Sequence, residues 1–563
     1  MKIFKLLLPA ALLCALGAQA QAAGWPANYQ GVMLQANSSD SDTDVSWDGL
    51  KAQADELSRY FSIIRVPNCT YGNKPMYWFD FDSTFGPKLA LREMVMEFGN
   101  KNVSVIGDVV LNHRYGTVVE TGITFPYEKY NDRTFFLSTY DICSNDDVLT
   151  QAGLSDDGGI SDSGEGFEGA CDLDHNRPNV QAICKNHLKA LSEDLLFSGF
   201  SYDFVKGYGA EFTKMYNEEI RPRFSVGEYY DASYDAVGNW ITAAGKTSAA
   251  YDFPCKYQLN KAFSSGNMTE LVWKLNGTTD QPAGLIHDPD YRQYAVTLVE
   301  DNKTAAGDYT KFNGDVVAAN AFILFSPGTP CVYLPHWTAH KAELGKLIEL
   351  RNAVGIHNQS TVRVLKSTAD CYMAEITGTQ GKAVVRIGSS TDTPSGYTDS
   401  DLRASGANYA VWSPVSIPGD EPAVPVTLAV KLPGGTLHIP EPAGMELKLT
   451  PDEGYQLHSL TLGDTEVTAD VAGGIYTVPG LAEPKVLTAV FAASTALNRV
   501  EAPAAKVAVY GNRVEISGTD AEAAFYDASG RLIRRTDSRS VELPARSGVV
   551  IMTLGGETFK FAL

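Results

Sequence analysis

Short apolar runs that end in polar turns alternate with segments of helix-spaced apolar residues from Trp25 to about residue 342. The run Ser62-Ile63-Ile64-Arg65-Val66 predicts a strand, 89–98 a helix, 103–110 a strand and 180–195 a helix, and 200–204 and 224–227 predict two more strands. Repeated βα units over about 300 residues, with no Gly-rich phosphate turn after the first strand, favour an α/β fold of the (β/α)8 TIM barrel type over an open sheet. After a helix at 346–354 the period changes to two. Tyr372-Met373-Ala374-Glu375-Ile376, Ala383-Val384-Val385-Arg386-Ile387 and Tyr409-Ala410-Val411-Trp412 alternate as a small antiparallel domain does. Beyond a proline-studded linker at 414–425, the β pattern resumes at 426–430, 446–449, 457–462 and 486–491, which predicts an independent sandwich-like module over 426–492. An Ala-rich stretch then opens a last β module at 498–563, where 523–533 reads as a hairpin with a Ser-Gly turn.

The 563 residues exceed what one core organises, and 44% hydrophobic against 20% charged residues excludes wholesale disorder. A net charge of -21 repels phosphate backbones, so nucleic acid is excluded as an expected partner. Lys2 and Lys5, the apolar run 6–16 and Ala18-Gln19-Ala20 read as a signal peptide over 1–23. No later stretch approaches the ~18 apolar residues of a membrane span. The expected destination is outside the cytoplasm: secreted, at the cell surface or periplasmic. The seven cysteines after Cys14 are widely spaced and include no CxxC, which predicts buried thiols rather than a zinc knuckle or a disulfide framework.

Charged residues stand just past three apolar strands. They are Gly107-Asp108-Val109-Val110-Leu111-Asn112-His113-Arg114, Gly199-Phe200-Ser201-Tyr202-Asp203-Phe204-Val205-Lys206-Gly207 and Phe224-Ser225-Val226-Gly227-Glu228-Tyr229-Tyr230. Carboxylates on neighbouring barrel strands can face each other at the ~5 Å that a retaining glycosidase needs. Asp203 and Glu228 are that pair. Flanking Gly and Tyr residues suit Glu228 to a desolvated general acid, and Asp203, near Lys206, suits an ionised nucleophile.

These motifs, with Ser46-Trp47-Asp48-Gly49-Leu50, Asp172-Leu173-Asp174-His175, Pro327-Gly328-Thr329-Pro330-Cys331 and Gly355-Ile356-His357-Asn358-Gln359-Ser360, resemble the α-amylase family of glycoside hydrolases, plant-like subgroup, over 27–413. The resemblance implies a barrel over 24–342 with a protruding domain B at about 115–170, and an antiparallel domain C at 343–413. It implies α-1,4-glucans (starch, maltooligosaccharides) as partner, Asp203 as nucleophile and Glu228 as general acid/base. His113 and Lys206 would hydrogen-bond the glucan and Tyr77 would stack on it. Asn112, Asp172 and the Gly207 carbonyl would hold a structural calcium, an all-oxygen set suited to that cation. The end of the chain, with Asp527-Ala528-Ser529-Gly530-Arg531 and Ser547-Gly548-Val549-Val550-Ile551, resembles the sorting domain of type IX secretion substrates.

The pattern breaks at two places. The family carries Arg two residues before the nucleophile, where this chain has Ser201. Its last motif, Phe-Val-Asp-Asn-His-Asp-Thr, is here Leu298-Val299-Glu300-Asp301-Asn302-Lys303-Thr304: without a gap Asn302 stands for a substrate-binding His and Lys303 for the third acid, whereas a one-residue slip puts Lys303 and Thr304 in those places, and either way the third acid is missing. On a continuous strand Asp301 would lie ~6.7 Å deeper than that acid. These losses point to a pseudoenzyme that recognises glucans with hydrolysis lost or strongly reduced. The alternative is an active calcium-dependent endo-α-amylase with a displaced acid, and a surface protein whose cleft binds nothing is the third reading. Ser201→Arg and Lys303→Asp together are expected to restore cleavage beyond the sum of the single changes.

Overall fold

The computed structural model describes residues 24–36, 46–70, 76–120, 122–154, 164–307, 310–417 and, in shorter stretches, 427–562. The signal-peptide reading, most of the 414–425 linker, the Ala-rich stretch, and the Ser529-Gly530 and Ser547-Gly548 turns lie outside them. The chain forms two compact units, 1–422 and 423–563.

In the first unit eight parallel strands close into a barrel in which each pairs with the next in sequence. They are β1 (Met33–Gln35), β2 (Ile63–Val66), β3 (Ser104–Val110), β4 (Gly199–Asp203), β5 (Phe224–Gly227), β6 (Ala249–Tyr251), β7 (Ala295–Leu298) and β8 (Thr329–Tyr333). The sequence-derived barrel is therefore the observed one. Alternate residues of each strand point inward, and Met33, Ile63, Ile106, Phe224, Val226, Val296, Leu298 and Cys331 fill the lower interior as one cluster. The residues between them face the helices, which bury a larger shell including Leu34, Ile64, Val105, Phe200 and Val332. Helix α1 (Lys88–Asn100) buries Leu91, Met94, Val95 and Phe98, the helical spacing of its sequence. Helix α2 (Pro178–Lys189) continues as a π-helical turn, Ala190–Asp194.

Between β3 and α2 the chain leaves the barrel in three short antiparallel pairs, among them His113–Arg114 with Cys171–Asp172. Buried Arg114 ties this excursion down through Glu128 and the Met76 carbonyl. After helix α4 (Lys341–Val354), strands β9 (Thr361–Thr368), β10 (Cys371–Thr377), β11 (Lys382–Ile387), β12 (Leu402–Gly406) and β13 (Tyr409–Trp412) form one sheet in the order β9-β10-β11-β13-β12. In the second unit, a five-stranded sheet with a two-stranded partner buries Leu460, Tyr476 and Leu487. A three- and a four-stranded sheet bury Val514, Phe525 and Met552. All seven described cysteines are buried. Among the described residues no helix is long and apolar enough to cross a membrane.

One expectation needs correction. Residues 301–306 do not continue β7. Asp301 is the N-cap of a short helix, α3 (Asn302–Ala306), in a capping box with Thr304. Asp301 and Lys303 are thus about half a helical turn apart rather than stacked along a strand, and the capping geometry of an Asp three residues before a Thr is the cause.

Candidate active site

Asp203 ends β4, and the next residue, Phe204, has φ 52°, a left-handed conformation rare for an aromatic residue that turns the chain sharply off the strand. Glu228 follows β5, its backbone N–H donating to the Tyr202 carbonyl at 2.9 Å. A Cβ on Gly227 would stand 2.3 Å from the Trp240 ring, so a glycine is what lets the chain pass there. Asp203 and Glu228 thus reach the same mouth of the barrel, where the ends of the strands place functional groups.

Both carboxylates grip one cation. Lys303, in the first turn of α3, has its ammonium on Asp203 Oδ1 and 3.1 Å from Glu228 Oε2. Two oxygens bound to one nitrogen lie within about 6 Å of each other, short of the ~6.5–9.5 Å that an inverting pair needs. Burial pushes the Asp203 carboxyl up, but Lys303 and Arg65 outweigh it and hold it below the usual carboxylate value. Burial likewise disfavours the Lys303 ammonium, and Asp203, Glu228 and Asp108 overcome this and raise its affinity for the proton. The cation beside Asp203 is therefore Lys303 and not Lys206, as its sequence position suggested. Lys206 instead lies 2.9 Å from Glu165 and 3.4 Å from Asp231.

The sequence reading missed a second cation. Arg65, the charged residue inside the apolar run of β2, is 1% exposed; its Nη2 is 2.5 Å from Glu228 Oε1 and 3.0 Å from Asp108 Oδ2. A buried charge is tolerated only when paired, so an Arg amid Ile-Ile and Val was the available signal. Asp108, Asp203 and Glu228 now share two cations, which leaves one negative charge in excess. Burial, with repulsion from Glu228 and Asp203 and against the pull of Arg65, raises the Asp108 carboxyl to about 7. Asn302 accepts from Gln35 at 2.8 Å and from Arg65 at 3.4 Å, and Ser201 donates to Glu228 at 3.4 Å.

His113 is also here, but covered. Phe167 stacks on its ring at 3.9 Å and Phe204 meets it edge-on at 5.9 Å. Burial, reinforced by Lys303, lowers the His113 imidazole to about 3, so it is neutral. The same short segment supplies Glu165 to Lys206, its backbone N–H donating to the Lys206 carbonyl at 3.0 Å. One strap of the excursion thus engages both residues expected to hold a ligand. Tyr77 is half-buried between Met76, whose carbonyl accepts from Arg114, and Trp78.

Asn112 and Asp172 are buried side by side, with the Leu173 N–H on the Asn112 carbonyl at 2.9 Å. The Asn112 side-chain oxygen has no hydrogen-bond partner, and a Cβ on Gly207 would stand 2.0 Å from it. An orphaned buried amide oxygen packed against Gly207 and a buried carboxylate are the oxygen donors that a hard cation takes. Asp172 is the single formal negative charge of this set, and among the described residues no group of three or more His, Cys, Asp or Glu could hold a metal.

Residues 353–413 match the model of the α-amylase C-terminal β-sheet domain. The chain is 30% identical over 361 residues to probable α-amylase 2 of Arabidopsis thaliana, covering 61% of this chain and 82% of that protein. It is 28% identical to the chloroplastic α-amylase 3 of the same plant over 64% of this chain, and spans 42% of that protein's length. A solved γ-CGTase from alkalophilic Bacillus clarkii superposes with a TM-score of 0.51 at 13% identity, covering 96% of each chain, which shows the shared fold.

Proposed function

Because the chain belongs to the α-amylase family of glycoside hydrolases, we propose that it recognises α-1,4-glucans at the barrel mouth with hydrolysis abolished or strongly reduced. The observation that carries this reading is the Lys303 ammonium seated between Asp203 and Glu228.

In a retaining mechanism Asp203 would attack the anomeric carbon while Glu228 protonated the departing oxygen, and the sugar ring would pass through an oxocarbenium-like state. Lys303 opposes each part. It neutralises the nucleophile and occupies the space between the carboxylates. It also places a positive charge where positive charge develops: at ~4 Å and an effective dielectric near 20 this costs up to ~4 kcal/mol, a slowing on the order of 10³. Asp301, which could have substituted for the missing acid, is committed to capping α3 and accepts the Tyr230 hydroxyl at 3.0 Å.

Asn112, Asp172 and Gly207 would hold a calcium ion that supplies charge neutralisation and ties the excursion to β3 and β4. His113, Lys206 and Tyr77 are the glucan-contacting set in this reading, reached once the strap carrying Glu165 and Phe167 yields. The N-terminal signal pattern and the sorting-like C-terminal module support export, to the cell surface or medium. The test is reducing-sugar release from soluble starch, with Asp203→Asn as the control for contaminating amylase, beside calorimetric titration with maltooligosaccharides. Binding without release is expected. Release at ordinary amylase rates, abolished in Asp203→Asn, would establish the active-enzyme reading instead.

A further inference from the structure

A small side chain at position 201 and a long one at position 65 stand on the two strands that flank β3. Ser201 pairs in register with Asp108 on the neighbouring strand and its hydroxyl points at Glu228, so a longer side chain there would face those two carboxylates. Arg65 holds the same two carboxylates from the other side. Its backbone is in register with Ile106, one inward layer below Asp108, and its long arm rises from that layer to the Glu228 oxygen that the Ser201 hydroxyl also reaches. The guanidinium also acts on Asp203 and accounts for part of that carboxyl's lowered proton affinity.

We propose that Arg65 is a transposed positioning residue: β2 now supplies the guanidinium that the family carries two residues before the nucleophile on β4, and the small Ser201 is its steric complement. This rests on the assignment of Asp203 and Glu228 as the catalytic pair. It alters the expectation drawn from sequence, because the arginine is relocated rather than lost, which leaves Asn302 and Lys303 as the departures from the family pattern. Ser201→Arg would then crowd a second guanidinium into occupied space, since Arg65 Nη2 and Ser201 Oγ already approach the same Glu228 oxygen at 2.5 and 3.4 Å.

The test is an exchange cycle in the full chain with Arg65→Ser, Ser201→Arg and both together, each followed by thermal unfolding from pH 5 to 9. Arg65→Ser should lower the midpoint and shift the pH at which stability changes near neutrality, because Asp108 loses its partner. The double variant should recover at least about half of both effects, the coupling expected of exchangeable neighbours. A double variant no better than Arg65→Ser, or one that does not fold, overturns the proposal. A purely structural arginine would not bring the pH profile back with its relocated counterpart. On a Lys303→Asp background, sugar release should not rise when Ser201→Arg is added, and a rise of about tenfold or more would overturn the transposition. If Lys303→Asp chains bind maltooligosaccharide but stay silent, the reading of Lys303 as the block fails, and the exchange cycle decides Arg65 by itself.

Discussion

Lys303 is a single side chain on which two opposite consequences converge. It satisfies Asp203 and Glu228, and it blocks the chemistry they could perform. Lys303→Met should therefore lower stability at pH 7 by about 1–3 kcal/mol, less than for a fully buried pair because the lysine side chain is 25% exposed. Urea unfolding checks this. The Asp203 carboxyl is depressed in the folded protein, so its contribution is present above its unfolded value and lost as pH falls through the folded one; the difference between wild type and Lys303→Met should shrink below about pH 4. Asp108 behaves in the reverse sense. Its carboxyl is raised to about 7 by burial, with Glu228, Asp203, Arg65 and Lys303 as the charges facing it. The folded state keeps a proton that the unfolded chain releases near 4, so its contribution to stability falls between about pH 4 and 7 and is level above. Asp108→Asn should flatten that decline, and an unchanged stability profile would show that Asp108 is not the group responsible.

Elements decide which of these residues meet. The turn into α3 is what swings Lys303 over the barrel mouth: had 301–306 continued as strand, side chains would have alternated inward and outward along β7. Asp301→Ala removes its N-cap and should cost about 1 kcal/mol by denaturant unfolding. The strap at 164–169 lays Phe167 on His113 and Glu165 on Lys206. Phe167→Ala should uncover His113 and tighten maltooligosaccharide binding, by about threefold to tenfold, in calorimetric titration. Weaker binding would instead make Phe167 itself a stacking platform for the ligand.

At the scale of the whole molecule, the excursion after β3 is joined to the barrel where Asn112, Asp172 and Gly207 converge. Calcium at ~100 times its dissociation constant should add ~2.7 kcal/mol and raise the thermal midpoint, and chelation should reverse it. The rise should be absent in Asn112→Ala. An unchanged midpoint after chelation would remove calcium from the account.

The sequence by itself determined the barrel and the antiparallel sheet after it, because their buried faces are written as periodicity: apolar runs for strands covered on both sides, alternation for sheets covered on one. It also placed Asp203 and Glu228 at strand ends, since the residue after an apolar run is local information. What it could not supply was distance between elements. Arg65 lies 163 positions from Glu228, and no local pattern announces that pair; Lys303, 100 positions from Asp203, was brought to the site only by the family's last motif. Pairing of a buried charge is settled only when the closed barrel brings opposite strands within reach of one long side chain. The same holds for Lys206, which the sequence put beside Asp203 and the fold turned toward Glu165 and Asp231. Backbone periodicity fixes which face a residue occupies, whereas the cost of burying charge, felt only in the assembled interior, fixes which partner it takes.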